Sequence, residues 1–315
     1  MAKNETGTPY DDVFRTLLND CTDLIIPVIN DTFGKNYVMG KDKPILEENE
    51  MFLTGKSGDQ ERTITDSHIM IRGEHFHIEC QSVPDGSMVV RMFEYDIQIG
   101  MLHAEVDQET YTVEFPNSAV LYLRSVSKTP DRLRITLKVP GSSCAYDVPI
   151  IKAKQYSIDE IFRKELYFLI PFHIFCYEAS FKQCEEDSTK LAQLAGIFTD
   201  IRKRLEVLTE KGVIDEYYQK TILTMSEKVI NNIAAKYQKT AERIGDIMGG
   251  KILEYEAKTI LNQGRKEGRE EGRTEKGIVV FCNMIARGFS PKEAQAIAEL
   301  TDEEVAIAEA QINQK

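Results

Sequence analysis

The segment Glu74–Ser82 reads EHFHIECQS and sets His75, His77, Glu79 and Gln81 at every second position, with Phe76, Ile78 and Cys80 between them. Alternation of this kind predicts a β-strand, whose successive side chains point to opposite faces. Just upstream, TDSHIMIRG carries Asp66, His68 and Met70 in one phase and Ile69 and Ile71 in the other. A hairpin between the two runs brings Asp66 beside Glu79. If the chain turns on Arg72 and Gly73, Asp66 lies directly across from Glu79. If it turns on Gly73 and Glu74, which suits a type II′ turn with Gly first, Asp66 faces Gln81 and Glu79 is its diagonal neighbour. A three-residue loop would set apolar residues of one strand beside polar residues of the other, so the pattern disfavours it. Both favoured registers make the same two faces. Ile69, Ile71, Phe76, Ile78 and Cys80 form the apolar one; Asp66, His68, Met70, His75, His77, Glu79 and Gln81 form the other.

Cross-strand neighbours stand roughly 4.5–5.5 Å apart at Cβ. Two carboxylates at that range repel, so either one takes a proton or a cation sits between them. A hard divalent ion resolves the conflict: Mg2+ takes one or two carboxylates, keeps several waters and completes its shell with phosphate oxygens. Such an ion activates water and stabilises the charge that builds on a phosphodiester. Gln81 shares the face and can orient the water or meet the scissile phosphate. Two other readings use the same residues. The polar face can be the solvated side of an antiparallel sheet. Alternatively, His75, His77 and Glu79 can ligate Zn2+ or Fe2+ as in a cupin-like barrel, which the neighbouring helical patterns fit poorly.

The elements that must hold this hairpin follow from periodicity. The first ten residues read as loose. From Asp11, the spacing of Val13, Phe14, Leu17, Leu18, Cys21, Leu24 and Ile25 predicts a helix, with Gly34 as its stop. EMFLTG, RTITDSHIMIRG and EHFHIECQSV read as three strands punctuated by Gly. SMVVRMFEYDIQIGMLHAEV switches to helical period, with Val89, Met92, Phe93, Ile97, Gly100 and Met101 on one side. SAVLYLR reads as an interior strand, and DRLRITLKVP with CAYDVPIIKAKQY as a further hairpin. After Ser157 helical patterns dominate. The expected organisation is an α/β core over residues 10–156, a helical region over 157–262 that packs on or extends it, a Gly/Glu/Arg-rich charged segment over 263–277, and a small helical module over 278–315.

Composition narrows the function classes. The chain has 315 residues, 42% of them apolar, enough for a packed core. A net charge of -12 and a pI of about 5.1 argue against a globally basic nucleic-acid binder. Six cysteines without CxxC spacing suggest neither a zinc site nor a disulfide framework, which points to a reducing compartment. The polar N-terminus shows no signal peptide. LYFLIPFHIFCY, from Leu166, is too short to span a bilayer and contains Pro171 and His173, so a buried helical segment is expected. Together these features predict a cytoplasmic protein with no membrane partner.

TDSHIMI, FHIECQ and MVVRMFEYDIQI, in the order helix, strand, strand, strand, helix, strand, resemble the PD-(D/E)XK nuclease superfamily. More narrowly, the chain is similar to the PD-(D/E)XK nuclease family transposases and the related recombination-promoting nucleases. The resemblance covers roughly residues 10–270 and implies a restriction-endonuclease-like αβββαβ core with a mixed sheet flanked by helices. It implies that Asp66 is the family's Asp and Glu79-Cys80-Gln81 its (Asp/Glu)-x-Lys tripeptide, with Gln in the Lys position. It further implies a Mg2+ ion, replaceable by Mn2+, held by Asp66, Glu79 and the backbone carbonyl of Cys80. DDVFR resembles the family's DxxFK opening, which makes Asp11 a further metal-site candidate and Arg15 the matching basic residue. Arg91 and Tyr95, in RMFEYD, match a recurrent family pattern and become candidate substrate-binding residues, with Arg91 near a phosphate. The implied activity is endonucleolytic hydrolysis of DNA, tied to recombination or mobile elements. The Gln in the Lys position keeps a second possibility open, a catalytically degenerate nuclease fold that binds DNA or assembles.

In NQGRKEGREEGRTEKG, Gly264, Gly268 and Gly272 recur every fourth residue. In a helix they would line one face and suit close pairing of helices, a route to a homo-oligomer; a flexible charged linker is the alternative. Further on, Gly288 suits a helix C-cap, and Ser290 with Glu293 and Thr301 with Glu304 suit capping boxes. The segment is acidic and Ala-rich, so a packing module is favoured over a DNA-binding helix-turn-helix.

Overall fold

Apolar residues at helical spacing open the fold, but as two helices joined by a 3-10 turn where one helix ending at Gly34 was expected. The protein is described from a computed structural model, over residues 9–47, 50–54, 60–64, 66–84, 86–249, 274, 276–285, 290–298, 300–301, 304–305 and 308. Helix α1 (Pro9–Asp20) buries Val13, Phe14, Leu17 and Leu18. A 3-10 turn (Thr22–Ile25) leads into α2 (Ile26–Phe33). α2 stops at Gly34, whose φ of 65° lies in the left-handed region that a residue without Cβ adopts freely.

Among the described residues ten strands and one long crossover helix follow: β1 (Ile45–Leu46), β2 (Glu50–Thr54), β3 (Gln60–Ile64), β4 (Ile69–Ile71), β5 (Glu74–Gln81), α3 (Met88–Leu102), β6 (Glu105–Asp107), β7 (Thr110–Thr112), β8 (Asn117–Tyr122), β9 (Arg132–Val139) and β10 (Ser142–Lys152). Six of them form one mixed sheet in the order β1-β4-β5-β8-β10-β9. β1, β4 and β5 are antiparallel neighbours, β5, β8 and β10 run parallel, and β9 closes the far edge antiparallel to β10. Parallel neighbours cannot be joined by a tight turn, and α3 makes the crossover from β5 to β8.

Three expectations change here. EMFLTG does form a strand, but it pairs with β3 in a separate ribbon, and the two-residue β1 takes its place beside β4. RTITDSHIMIRG is not one strand. Its first part pairs with β2 and its last part with β1 and β5, so the chain changes partners between Ile64 and Ile69 and bends there. In the bend Ser67 takes over the ladder: its Oγ donates to the carbonyl of Ile78 and accepts from the N–H of Ile78, both at 2.8 Å. Another hairpin, β6–β7, begins where a continued helix was expected.

The sheet separates two apolar layers. Ile69, Ile71, Phe76, Ile78, Cys80, Ala119, Leu121 and Ile151 pack against α1, α2 and the later helices, around Phe14, Phe168 and Phe172. On the other face Val120, Tyr122, Val148 and Ile150 meet Met88 and Met92 of α3. The later helices are α4 (Ile158–Arg163), a 3-10 segment (Tyr167–Cys176), α5 (Phe181–Glu186), α6 (Ser188–Glu210), α7 (Glu216–Ile233) and α8 (Gln238–Gly249). The apolar window at Leu166 is buried as expected, but it is a 3-10 helix with Pro171 inside it, a residue that cannot donate an α-helical hydrogen bond. Among the described residues no helix is long and apolar enough to cross a membrane, and all six cysteines are free.

Residues 1–252 form one compact unit and residues 253–315 a second. In the second, Phe281, Ala294, Leu300 and Ala308 make a small core. Both expected capping boxes form. Ser290 N–H donates to Glu293 Oε2 at 3.0 Å and Glu293 N–H to Ser290 Oγ at 3.4 Å. Thr301 N–H donates to Glu304 Oε2 at 2.8 Å and Glu304 N–H to Thr301 Oγ1 at 3.3 Å. Of the first ten residues, expected to be loose, Pro9 and Tyr10 belong to α1, where Tyr10 is buried; the first eight, the stripe of Gly264, Gly268 and Gly272, and Gly288 lie outside the described residues.

Candidate active site

The hairpin turns on Arg72 and Gly73, with φ of 51° and 81°, the pair of positive values that a type I′ turn needs. Ile69 therefore pairs with Phe76, Met70 with His75 and Ile71 with Glu74. Of the two registers open to the sequence, this one sets Asp66 opposite Glu79. Asp66 lies beyond the end of the β4 ladder, yet it is tied to β5 twice. Its N–H donates to Glu79 Oε1 at 2.9 Å, and its Oδ2 accepts from the N–H of Cys80 at 2.8 Å.

The polar face is not solvated, contrary to one of the readings above. His77 is fully buried, Glu79 is 1% exposed and Asp66 6%. The cause is α3, whose crossover from β5 to β8 brings Arg91 and Tyr95 onto this face. Arg91 Nη2 donates to Glu79 Oε2 at 2.8 Å, and Nη1 reaches Gln81 Oε1 at 3.4 Å. The Tyr95 ring meets the His77 ring edge-on, with centroids 5.3 Å apart. From α1, Arg15 donates to Asp66 Oδ1 through Nε at 3.2 Å and Nη2 at 3.1 Å. Asp11 is one helical turn from Arg15 and acts on Asp66 through its charge.

The charges are strongly shaped by burial. Burial, then the neighbouring Glu79 carboxylate, push the Asp66 carboxyl up to about 8, against the opposing pull of the Cys80 N–H and Arg15. Burial would also raise Glu79, but His77, Arg91 and the Asp66 N–H outweigh it and hold Glu79 below the usual carboxylate range. For His77 burial favours the neutral ring. The flanking Asp96 and Glu79 prevail and raise it to about 9. Tyr95 is pushed up to about 12, by burial first and by Glu79 second. At neutral pH the pair is thus kept compatible by a proton held on Asp66, while Arg91 and His77 balance the ionised Glu79.

The site extends further than the sequence reading. His77 Nε2 lies 3.1 Å from Glu79 Oε1, and Nδ1 lies 3.8 Å from Asp96 Oδ1. Asp96 is itself buried and accepts from Ser118 Oγ and, at 2.6 Å, from the Tyr146 hydroxyl. Glu79 is therefore backed by a polar chain reaching to β8 and β10. The available signal was Asp96, a carboxylate next to Tyr95 inside the amphipathic run of α3.

The ligand trio of His75, His77 and Glu79 does not converge. His77 is turned to Glu79 and Asp96, whereas His75 joins His68, His103 and Glu47 at the other end of the hairpin. Burial pulls His68 down to about 4 and lowers His75 as well.

Compared with protein-family models, curated proteins and solved structures, the chain matches none of them.

Proposed function

We propose that the chain is a metal-dependent endonuclease that hydrolyses DNA phosphodiester bonds, built on a restriction-endonuclease-like core. The observation that carries this reading is the convergence of the buried Asp66 and Glu79 across the β4–β5 hairpin, in one hydrogen-bonded cluster with Gln81 and Arg91. The topology supports it. An antiparallel meander of β1, β4 and β5, then α3, then β8 parallel to β5, follows a first helix in the αβββαβ order. Glu79 and Gln81 sit at the carboxyl end of β5, the end where open α/β sheets commonly bind ligands.

The donor set suits a hard cation such as Mg2+ or Mn2+. In a strand, N–H and C=O of one residue point the same way, as both groups of Ile78 do toward Ser67. The Cys80 N–H points at Asp66, so its carbonyl faces the same side. Asp66, Glu79 and the Cys80 carbonyl would hold the ion, with Asp11 in reserve on α1. When bound, it supplies an activated water and charge stabilisation at the phosphate. His77 keeps Glu79 ionised, and Gln81 orients water. Gln81 brings no positive charge of its own; Arg91, beside it, supplies the cation that a Lys would bring and turns to a phosphate oxygen. Arg15 and Arg91 are about a third exposed, which leaves them room to swing off the carboxylates. Free cysteines agree with a cytoplasmic setting.

A second reading has its own support: Arg15 and Arg91 already occupy both carboxyl groups, as suits a non-catalytic DNA-binding or assembly protein on the same fold. Plasmid nicking with Mg2+ separates the two. The parent nicks, and Asp66→Asn and Glu79→Gln do not. Equal activity in all three overturns the assignment, and DNA binding without cleavage or metal dependence selects the second reading.

A further inference from the structure

At the turn end of the same hairpin four side chains from four places in the chain meet around one point. Glu47 Oε2 lies 3.4 Å from His68 Nε2, 3.8 Å from His75 Nδ1 and 2.9 Å from His103 Nε2. His68 Nε2 and His75 Nδ1 are 3.2 Å apart. Each residue offers one ligand atom, and all four atoms lie within 4.8 Å of one another. Zn2+ binds imidazole nitrogen and carboxylate oxygen at about 2.0–2.2 Å, and the edge of a tetrahedron of that radius is about 3.3–3.6 Å. The observed separations straddle that edge.

His68 gives a second, independent sign. Its ring is fully buried and aims Nε2 into the cluster, at His75 and Glu47, and among the described residues its Nδ1 has no hydrogen-bond partner. The backbone fixes the arrangement: the N–H of Glu47 donates to the carbonyl of His68 at 2.9 Å. His103 is the C-cap of α3, where the helix dipole favours positive charge. It stacks on His75 with ring centroids 4.0 Å apart. His103 and Glu47 are partly exposed, which gives an ion a way in.

We propose that Glu47, His68, His75 and His103 form a site for a tetrahedral divalent transition metal, Zn2+ foremost, that fastens the end of α3 to the β4–β5 hairpin. Three imidazoles and a carboxylate suit Zn2+ better than Mg2+ or Ca2+, which favour all-oxygen shells. Four protein ligands leave no open position, so the site is structural. It is separate from Asp66 and Glu79: His75 and Glu79 are four residues apart on an extended strand, about 13 Å. It bears on those residues indirectly, because α3 carries Arg91 and Tyr95.

The test is titration of the chelator-stripped full chain with Zn2+ alone, followed by calorimetry, with Co2+ as a spectroscopic substitute. The expected result is one equivalent bound at sub-micromolar Kd, a rise in Tm, and the intense visible bands of tetrahedral Co2+. His103→Ala and His75→Ala, at partly exposed positions, should keep the metal-free Tm and weaken binding at least about tenfold, since even outer-shell losses cost that much. Asp66→Asn should bind as the parent does. Absence of stoichiometric binding overturns the proposal. So does equal binding by both His variants, or uptake that disappears in Asp66→Asn instead.

Discussion

The backbone N–H of Asp66 donates to the Glu79 carboxylate at 2.9 Å, although the two residues lie thirteen apart in sequence and Asp66 belongs to no strand. Glu79 is therefore a structural acceptor before it is anything else. It also receives Arg91 at 2.8 Å and faces His77 at 3.1 Å, all with 1% of its surface exposed.

Removing one partner of a buried charge network leaves the others uncompensated, which typically costs about 3–5 kcal/mol. Glu79→Ala should lose stability on that scale in urea denaturation of the full chain. Glu79→Gln keeps an acceptor for the Asp66 N–H and should lose clearly less. If Glu79→Ala costs under about 1 kcal/mol, the network is not holding the hairpin. The contrast also governs the nicking assay, where only the Gln variant separates chemistry from folding.

The alternation of EHFHIECQ was legible because a period of two leaves few options, and the apolar phase at Phe76, Ile78 and Cys80 fixed which side met the core. Periodicity carries no information about what lies over the other side. That His77 and Glu79 are buried depends on α3, and the Arg15–Asp66 pair joins residues 51 apart. The break at Asp66 was hidden for a different reason. RTITDSHIMI has β-forming residues on both sides, and the bend comes from a change of sheet partner, which is a tertiary event. Likewise Glu47 and His103 could not be joined to His68 and His75 until β1 and the end of α3 had been placed.

A pH dependence is expected from His173, in the buried 3-10 segment and 3% exposed. Burial holds its pKa down to about 4, so the folded state keeps the ring neutral. The unfolded chain takes up the proton near pH 6.5. Between those values the unfolded state binds more protons, so this stability is present above about pH 6.5 and drains away as pH falls toward 4. The slope within that window is about 1.4 kcal/mol per pH unit for one such group. His173→Phe keeps an aromatic ring, slightly larger and without a titrating nitrogen, and its partners Tyr177 and Cys176 are only partly buried, so the Tyr177 hydroxyl can turn to water. Urea midpoints at pH 4.5, 5.5 and 7 should show a shallower acid loss in the variant than in the parent; parallel curves would exclude His173 as a source.

Two helical glycines should respond in opposite directions to the same substitution. A glycine inside a helix costs about 1 kcal/mol relative to Ala, so Gly→Ala is favourable where there is room. At Gly196, exposed in α6, an added Cβ meets nothing within 4 Å, and Gly196→Ala should stabilise the chain by up to about 1 kcal/mol. At Gly100, in α3, the same atom would lie 2.8 Å from Val113 Cγ1, 2.9 Å from the carbonyl oxygen of Glu114 and 3.1 Å from Phe115 Cδ1. The carbonyl is backbone and cannot rotate aside. Overpacking of this kind costs roughly 1–3 kcal/mol, which outweighs the propensity gain. Gly100→Ala should lower the urea midpoint while Gly196→Ala raises it. A rise in both would mean that the stretch after β7 yields to α3, and that the helix holding Arg91 and Tyr95 over Glu79 is less tightly seated than these contacts require.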